Sequence, residues 1–219
     1  MFFFDFFKKP AHNIHVKQIF DQLQKDGCIL FNHCLEPKTT VPNFHCYPII
    51  SKKILYNPTI SGLSDDTIRF FLLHEEGHHI NGHFGYSLRG VFCLLGFILF
   101  VVGLFGSMSV KLNPFFYVVL CIIGIALVVF AFLGLKNLLK NDEYNSDIFA
   151  AMKLRDTYQK EDPPTIVKNG FIELENHFVN CNFGEHPLNK IENWSYDITE
   201  YHPTNVQRIE SIKKSINKK

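Results

Sequence analysis

The segment LLHEEGHH, residues 72–79, contains the pattern H-E-x-x-H at His74, Glu75 and His78. On a helix, residues four apart lie on one face about one turn apart, so both imidazoles can bind the same metal ion. Glu75 is placed to reach a metal-bound water without binding the metal itself. The pattern therefore predicts a zinc helix, with His74 and His78 as ligands and Glu75 as general base.

The residues before the pattern predict where this helix begins. Ser64 is a good N-cap, and Asp65 and Asp66 suit the positive end of a helix dipole. The alternative is a surface helix whose histidines and glutamate are solvated, because three fixed residues can arise by chance in a histidine-rich chain. The remainder of the chain must distinguish the two.

The composition of the chain indicates a membrane protein. A net charge of +1, with no basic cluster interleaved with aromatics, argues against a nucleic-acid binder. Residues 90–110 and 114–135 contain no charged side chain, and each has about the ~20 residues needed to cross a bilayer core. They predict a transmembrane hairpin. The alternative is a pair of buried core helices, but so small a protein could not enclose them.

Basic residues near the ends of the hairpin predict its orientation. Arg89, Lys136 and Lys140 lie on the side that carries both termini, against Lys111 alone in the connecting turn. The positive-inside rule then places both termini and the active site in the cytoplasm, where cysteines are expected to be reduced. A second zinc site built from His33-Cys34 and His45-Cys46, with Cys28, is an alternative, but no C-x-x-C spacing supports it.

The other periodic segments predict a mainly α fold with a small β element. An amphipathic helix is expected over residues 12–25 and is ended by Gly27. Short apolar runs at 28–31 and 49–56 predict strands, and the region 44–56 is expected to pair with a substrate backbone. Helices are also expected over 142–160, 165–180 and 204–216, with a loop at 181–201. Thr204 and Gln207 form a capping box for the last helix.

A third zinc ligand is expected after the second span. Glu143 and Asp147 are four apart and share a helix face, and the hairpin returns them to the side of the zinc helix. Two histidines, one carboxylate and an open fourth position make a hydrolytic zinc site. We expect Glu143 to be the ligand and Asp147 to accept a hydrogen bond from a ligand histidine. His83 is the rival ligand, although its register does not fit the metzincin pattern. The alternative for the acidic pair is a solvated helix start.

Three elements occur in the order found in a known family. They are His74-Glu75-Glu76-Gly77-His78, then Glu143-x-x-x-Asp147 after a hairpin, then His202-Pro203 followed by Arg208. Over about residues 44–212 the chain resembles the membrane zinc metalloproteases that include the HtpX heat-shock protease and the CAAX prenyl endopeptidases. The resemblance implies a zincin-like (gluzincin) domain interrupted by the transmembrane hairpin, although only two spans are evident here. It implies zinc ligands His74, His78 and Glu143, general base Glu75, oxyanion donor His202, and Arg208 orienting acids such as Asp147.

The sequence thus predicts a membrane-anchored zinc endopeptidase. Its expected division is residues 1–89, the hairpin 90–135 and residues 136–219, with one zinc ion held between the outer parts. Protein or peptide substrates and the lipid bilayer are its expected partners. One alternative is a catalytically inactive membrane scaffold or sensor that binds peptides through the same groove. Another is a metal-binding transporter subunit. Two spans without any intramembrane charge argue against it. The sequence does not indicate the substrate or the oligomeric state.

Overall fold

The computed structural model describes residues 10–41, 43–46, 51–81, 83–107, 114–133, 135–180 and 203–217. These residues are mainly helical with one small sheet, which confirms the predicted fold class. The helices are α1 (Ile14–Lys25), α2 (Asp65–Asn81), α3 (His83–Ser107), α4 (Pro114–Leu133), α5 (Leu135–Tyr158), α6 (Pro163–Asn180) and α7 (Asn205–Ile216). The strands are β1 (Cys34–Pro37), β2 (Phe44–Cys46) and β3 (Lys53–Tyr56).

The chain divides into two compact units. One comprises Met1–Gly82 with Asp142–Lys219, and the other comprises His83–Asn141. The H-E-x-x-H pattern and the acidic residues after the second span therefore belong to the first unit, although some sixty residues separate them in sequence.

Helix α1 forms as its periodicity predicts. The side chain of Asn13 accepts hydrogen bonds from the backbone of His15 and Val16 and caps the helix start. Gly27, at φ +69°, reverses the chain at the other end, where few residues other than glycine are comfortable. One apolar face, which includes Phe20 and Leu23, is buried in the core.

The described residues form one three-stranded sheet, and the first predicted strand is not part of it. Its order is β1-β3-β2, with β1 parallel to β3 and β2 antiparallel to it. The prediction of a strand at 28–31 is wrong. There the backbone N–H groups of Cys28 and Ile29 donate to the Leu23 carbonyl, at 2.9 and 3.2 Å, and so complete the end of α1. These apolar residues are buried by a helix C-terminus instead of a strand ladder.

Helix α2 is the centre of the first unit. It begins where predicted, because the Ser64 hydroxyl accepts a hydrogen bond from the Thr67 backbone at 3.4 Å. Almost every side chain from Ile68 to Gly77 is buried. Phe71 stacks on Phe44 of β2, with ring centroids 5.8 Å apart, and meets Phe171 of α6 edge-on at 6.0 Å. A helix covered on all sides is held in place firmly enough to carry a site.

Helix α5 runs antiparallel to α2 and touches it at Gly77. A Cβ atom built at Gly77 would lie 2.7 Å from the Ser146 Cα, which is well inside van der Waals contact. At the far end of the pair, the Arg69 guanidinium lies 5.2 Å from the centre of the Tyr158 ring. Because residue 77 has no side chain, α5 can pack closely against the turn of α2 that carries the H-E-x-x-H pattern.

The second unit contains two apolar helices, α3 and α4. Both are long and apolar enough to cross a membrane; the apolar stretch of the first is Leu88–Gly106, with a mean hydropathy of 2.5. Side chains such as Phe97 and Phe130 are exposed, so these helices are not buried in a protein core. Helix α2 continues to Asn81 and α3 starts at His83, so no long linker separates the two helices.

Candidate metal centre

The imidazoles of His74 and His78 meet at one face of α2. Their Nε2 atoms are 3.0 Å apart, and the ring centroids are separated by 4.6 Å. His74 is buried and His78 is nearly so. This is the arrangement that the four-residue spacing predicts.

The outer nitrogen of each ring is bound to a carboxylate of α5. The Nδ1 atom of His74 lies 2.9 Å from Asp147 Oδ1, and that of His78 lies 2.8 Å from Asp142 Oδ2. A carboxylate only accepts, so in both rings Nδ1 carries the proton and donates it. When both rings are neutral, each Nε2 carries a lone pair, and the two lone pairs face each other. Such a pair is stabilised by a cation between the two atoms.

Glu143 completes a three-residue group. Its Oε2 lies 3.5 Å from His74 Nε2, and its Oε1 lies 3.4 Å from His78 Nε2. For ligands about 2.0–2.1 Å from a tetrahedral zinc, the expected separation between ligand atoms is about 3.3 Å. The separation of 3.0 Å between the two nitrogens, and of 3.5 and 3.4 Å from each nitrogen to its nearer carboxylate oxygen, are close to that value. His74, His78 and Glu143 could therefore hold a metal ion.

The electrostatic surroundings favour positive charge at this point. Burial lowers the pKa of His78, but hydrogen bonds to Asp142 and Glu143 outweigh it and raise the pKa to about 10. A site that favours a proton on an imidazole to this extent also favours a divalent cation, which exerts a larger charge on the same carboxylates.

A buried ion pair supports the acidic side of the centre. Arg208 of α7 forms two hydrogen bonds to Asp147, from Nε to Oδ2 at 2.7 Å and from Nη2 to Oδ1 at 2.6 Å. Burial raises the pKa of Asp147, but the bonds and charge of Arg208 hold it below its usual value. The guanidinium also lies over the Phe171 ring, 4.7 Å from its centroid. Asp147 is thereby kept ionised and oriented toward His74.

The Glu75 carboxylate is buried beside strand β2. It accepts a hydrogen bond from the Cys46 thiol; burial, followed by this carboxylate, raises the pKa of that thiol. Its charge also contributes to the raised pKa of His78, so Glu75 lies near that imidazole. A carboxylate held close to a metal-binding group can act as a general base there.

The chain matches the family model for Peptidase family M48 over residues 38–216, which include the site and both apolar helices. The chain belongs to peptidase family M48. The expected relationship to HtpX and CAAX-type metalloproteases is thus confirmed at the level of the family. No curated protein and no solved structure matches the chain.

The M48 fold brings most of the predicted site residues together. Five of the seven, namely His74, His78, Glu143, Asp147 and Arg208, are linked by the contacts above, and Glu75 adjoins them. His202, the expected oxyanion donor, lies outside the described residues, and so does the side chain of His83, the rival candidate for the third ligand. Among the described residues, Cys28, Cys34 and Cys46 do not form a metal-binding group.

Two partners in this M48 site were not predicted. Asp142, which holds His78, directly precedes Glu143, and its spacing alone gives no signal separate from that of its neighbour. Glu76 of the motif is fully buried, and its Oε2 lies 2.6 Å from Nδ1 of the buried His33. The sequence gives only a weak signal of this pair, a second glutamate directly after Glu75. Nothing near Glu76 in the sequence identifies His33, 43 residues earlier, as its partner.

Proposed function

We propose that this M48 peptidase is a membrane-anchored zinc-dependent endopeptidase that hydrolyses peptide bonds of membrane or membrane-proximal proteins. The observation that carries the proposal is the convergence of two imidazole lone pairs and one carboxylate at 3.0–3.5 Å. Nitrogen and oxygen ligands in this number are typical of catalytic zinc, which keeps one position for water or substrate.

Each side chain of the site then has a defined task. His74, His78 and Glu143 would hold the zinc, which when bound polarises a carbonyl and lowers the pKa of water. Asp147 and Asp142 hold the Nδ1 protons and so fix both ring orientations. Glu75 accepts a proton from the attacking water and later passes it to the leaving amine. By family resemblance, His202 donates a hydrogen bond to the developing oxyanion.

Membrane anchoring is assigned to α3 and α4. We place residues 1–89 and 136–219 in one protease domain, and the hairpin 90–135 in the bilayer with both termini in the cytoplasm. The covalent chain supports a membrane-proximal site. From Asn81, two peptide units of about 3.8 Å and five helical residues of about 1.5 Å reach Leu88, a total of about 15 Å. The metal-binding helix therefore ends close to the apolar segment, whatever the angle between the two units.

The test of the proposal is Glu75→Gln in purified full-length protein. The variant should bind zinc as the wild type does, and its chelator-sensitive cleavage of casein should fall by about 10²–10⁴-fold. Glu76→Gln is the matched control, because it makes the same change one residue later, at a side chain that bonds Leu30 and His33. It should retain cleavage per zinc-loaded molecule.

The same experiment separates an enzyme from an inactive scaffold. A scaffold would show no chelator-sensitive cleavage in the wild type, and Glu75→Gln would change nothing. Wild-type turnover by Glu75→Gln would contradict the assignment of the general base.

A further inference from the structure

The turn that follows α1 presents two apolar side chains to solvent. Leu30 is 54% exposed and Phe31 is 80% exposed, the highest value for a large apolar side chain among the described residues. Contact of so large an apolar side chain with water is unfavourable, and the exposure of Phe31 indicates that something outside the described fold covers it.

Hydrogen bonds hold this turn in place on both sides. The Leu30 backbone donates to Glu76 Oε1 at 3.1 Å, and Glu76 Oε2 is paired with the His33 ring at 2.6 Å. The Gln24 side chain donates to the carbonyls of Leu30 and His33, at 3.0 and 2.8 Å. Phe31 is therefore held outward by a fixed backbone, so its exposure does not come from a loose loop.

The turn lies at the end of α2 that leads toward the apolar helices. Glu76 is in the last turns of α2, and Ile80, four residues later on the same face, is 50% exposed. We call Leu30, Phe31 and Ile80 the apolar tip. Lys52 is exposed at the same end of the unit, where its carbonyl accepts from the Cys34 backbone at 3.0 Å.

We propose that the apolar tip inserts into the interfacial layer of the leaflet that α3 enters. The inference rests on the proposed membrane anchoring. The end of α2 lies within about 15 Å of chain from Leu88, and the headgroup layer on each side of a bilayer is itself about 5–8 Å deep. Aromatic and lysine side chains are favoured at this depth, which suits an exposed Phe31 and an exposed Lys52 at the same end of the unit.

Insertion at this point fixes the height of the metal centre above the bilayer. The tip is bonded to Glu76, which directly follows the general base Glu75. The covalent chain joins the domain to the hairpin at two points only, between residues 82 and 83 and between residues 141 and 142. A third attachment through the tip opposes tilting of the domain and keeps the site at one distance from a membrane-proximal peptide bond.

Single-tryptophan variants of the full-length protein test this proposal. In a Trp194→Phe background, Phe31→Trp is compared with Ile14→Trp, whose parent side chain is 75% exposed. Ile14 adjoins His15, which pairs with Asp65 at the other end of α2, about 24 Å away by helix rise. Phe97→Trp in α3, where the parent is 61% exposed, reports the hairpin. Each variant is placed in phosphatidylcholine–phosphatidylglycerol nanodiscs that contain lipids brominated either near the carbonyl or near the chain end.

The proposal predicts blue-shifted emission from the Phe31→Trp variant and strong quenching by bromines near the carbonyl, at a depth of about 5–10 Å. The Ile14→Trp variant should show little quenching in the same nanodiscs. Red, unquenched emission from Phe31→Trp, when Phe97→Trp is quenched, would contradict insertion of the apolar tip and leave the proposed membrane anchoring intact. Blue-shifted but unquenched emission from Phe31→Trp would also overturn it, since protein instead of lipid would then cover the tip. Failure of the Phe97→Trp variant to be quenched would remove the anchoring itself.

Discussion

Gly77→Ala tests whether the contact between α2 and α5 controls metal binding. The added Cβ would lie 2.7 Å from Ser146 Cα, 3.0 Å from Ser146 Cβ and 3.2 Å from Ser146 O. Carbon atoms in ordinary contact are about 3.5–4.0 Å apart, so α5 must move away from α2 by about 1 Å. Two of the three obstructing atoms belong to the backbone, which cannot turn aside as a side chain would.

This displacement acts directly on Glu143, the proposed third ligand. Glu143 lies on α5 less than one turn before Ser146, whereas both histidines are on α2. Metal–ligand bonds tolerate about 0.2 Å, so a shift of about 1 Å must be reversed by strain each time the metal binds. Overpacking of this kind costs about 1–3 kcal/mol, which corresponds to about 5- to 150-fold weaker zinc binding if it falls on the bound state.

The assay is competition for zinc against a chromophoric chelator, with thermal unfolding measured in parallel. Gly170→Ala is the matched control, because its Cβ would meet the Thr67 side chain at 3.4 Å and Phe71 at 3.8 Å, near ordinary contact. It should stabilise α6 by up to about 1 kcal/mol and leave zinc affinity unchanged. Wild-type zinc affinity and stability in Gly77→Ala would refute the close helix contact.

Further predictions concern the carboxylates that hold the histidines. Asp142→Asn should weaken zinc binding about 10–100-fold in the competition assay, and an unchanged affinity would show that Asp142 does not orient His78. In protein freed of metal by a chelator, the folded-state pKa of His78 is raised to about 10. Protonated His78 therefore stabilises the folded state fully below about pH 6.5, and this stability is lost as the pH rises toward about 10. Denaturant titrations across that pH window should show this loss of unfolding free energy in the wild type and a smaller loss in Asp142→Asn. Equal dependence of the unfolding free energy on pH in the two proteins would contradict the role of Asp142. Arg208→Met leaves Asp147 buried without its cation and should cost about 3–5 kcal/mol of unfolding free energy, with Arg208→Lys intermediate. A loss below that of an exposed ion pair would argue against the buried geometry.

Local chemistry made the helical part of the fold predictable. The N-caps at Ser64 and Thr204, the reversal at Gly27 and the apolar helices all depend on neighbours within a few residues. Thr204 and Gln207 do form the expected capping box, with mutual bonds of 3.1 and 3.3 Å. The strands were less predictable, because elements of three and four residues carry too little periodicity, and an apolar run can equally be buried by a helix end, as at 28–31.

The site was predictable as far as motif and family resemblance extend. The grouping of His74, His78 and Glu143 follows from a helical spacing and a hairpin that returns the chain to the same side. The long-range pairs could not be derived in this way. Asp142 reaches His78 across 64 residues, and the Gly77–Ser146 contact depends on how two helices pack, which no local pattern specifies.

The zinc content of purified wild type, Glu75→Gln and Glu143→Ala, measured by elemental analysis after dialysis, tests the central claim most directly. In the proposed site, zinc is held by both α2 histidines and the α5 carboxylate, whereas Glu75, the proposed general base, is not a ligand. The proposed site predicts one zinc per chain in the wild type and in Glu75→Gln, and a marked loss in Glu143→Ala. Full retention of tightly bound zinc by Glu143→Ala would contradict it.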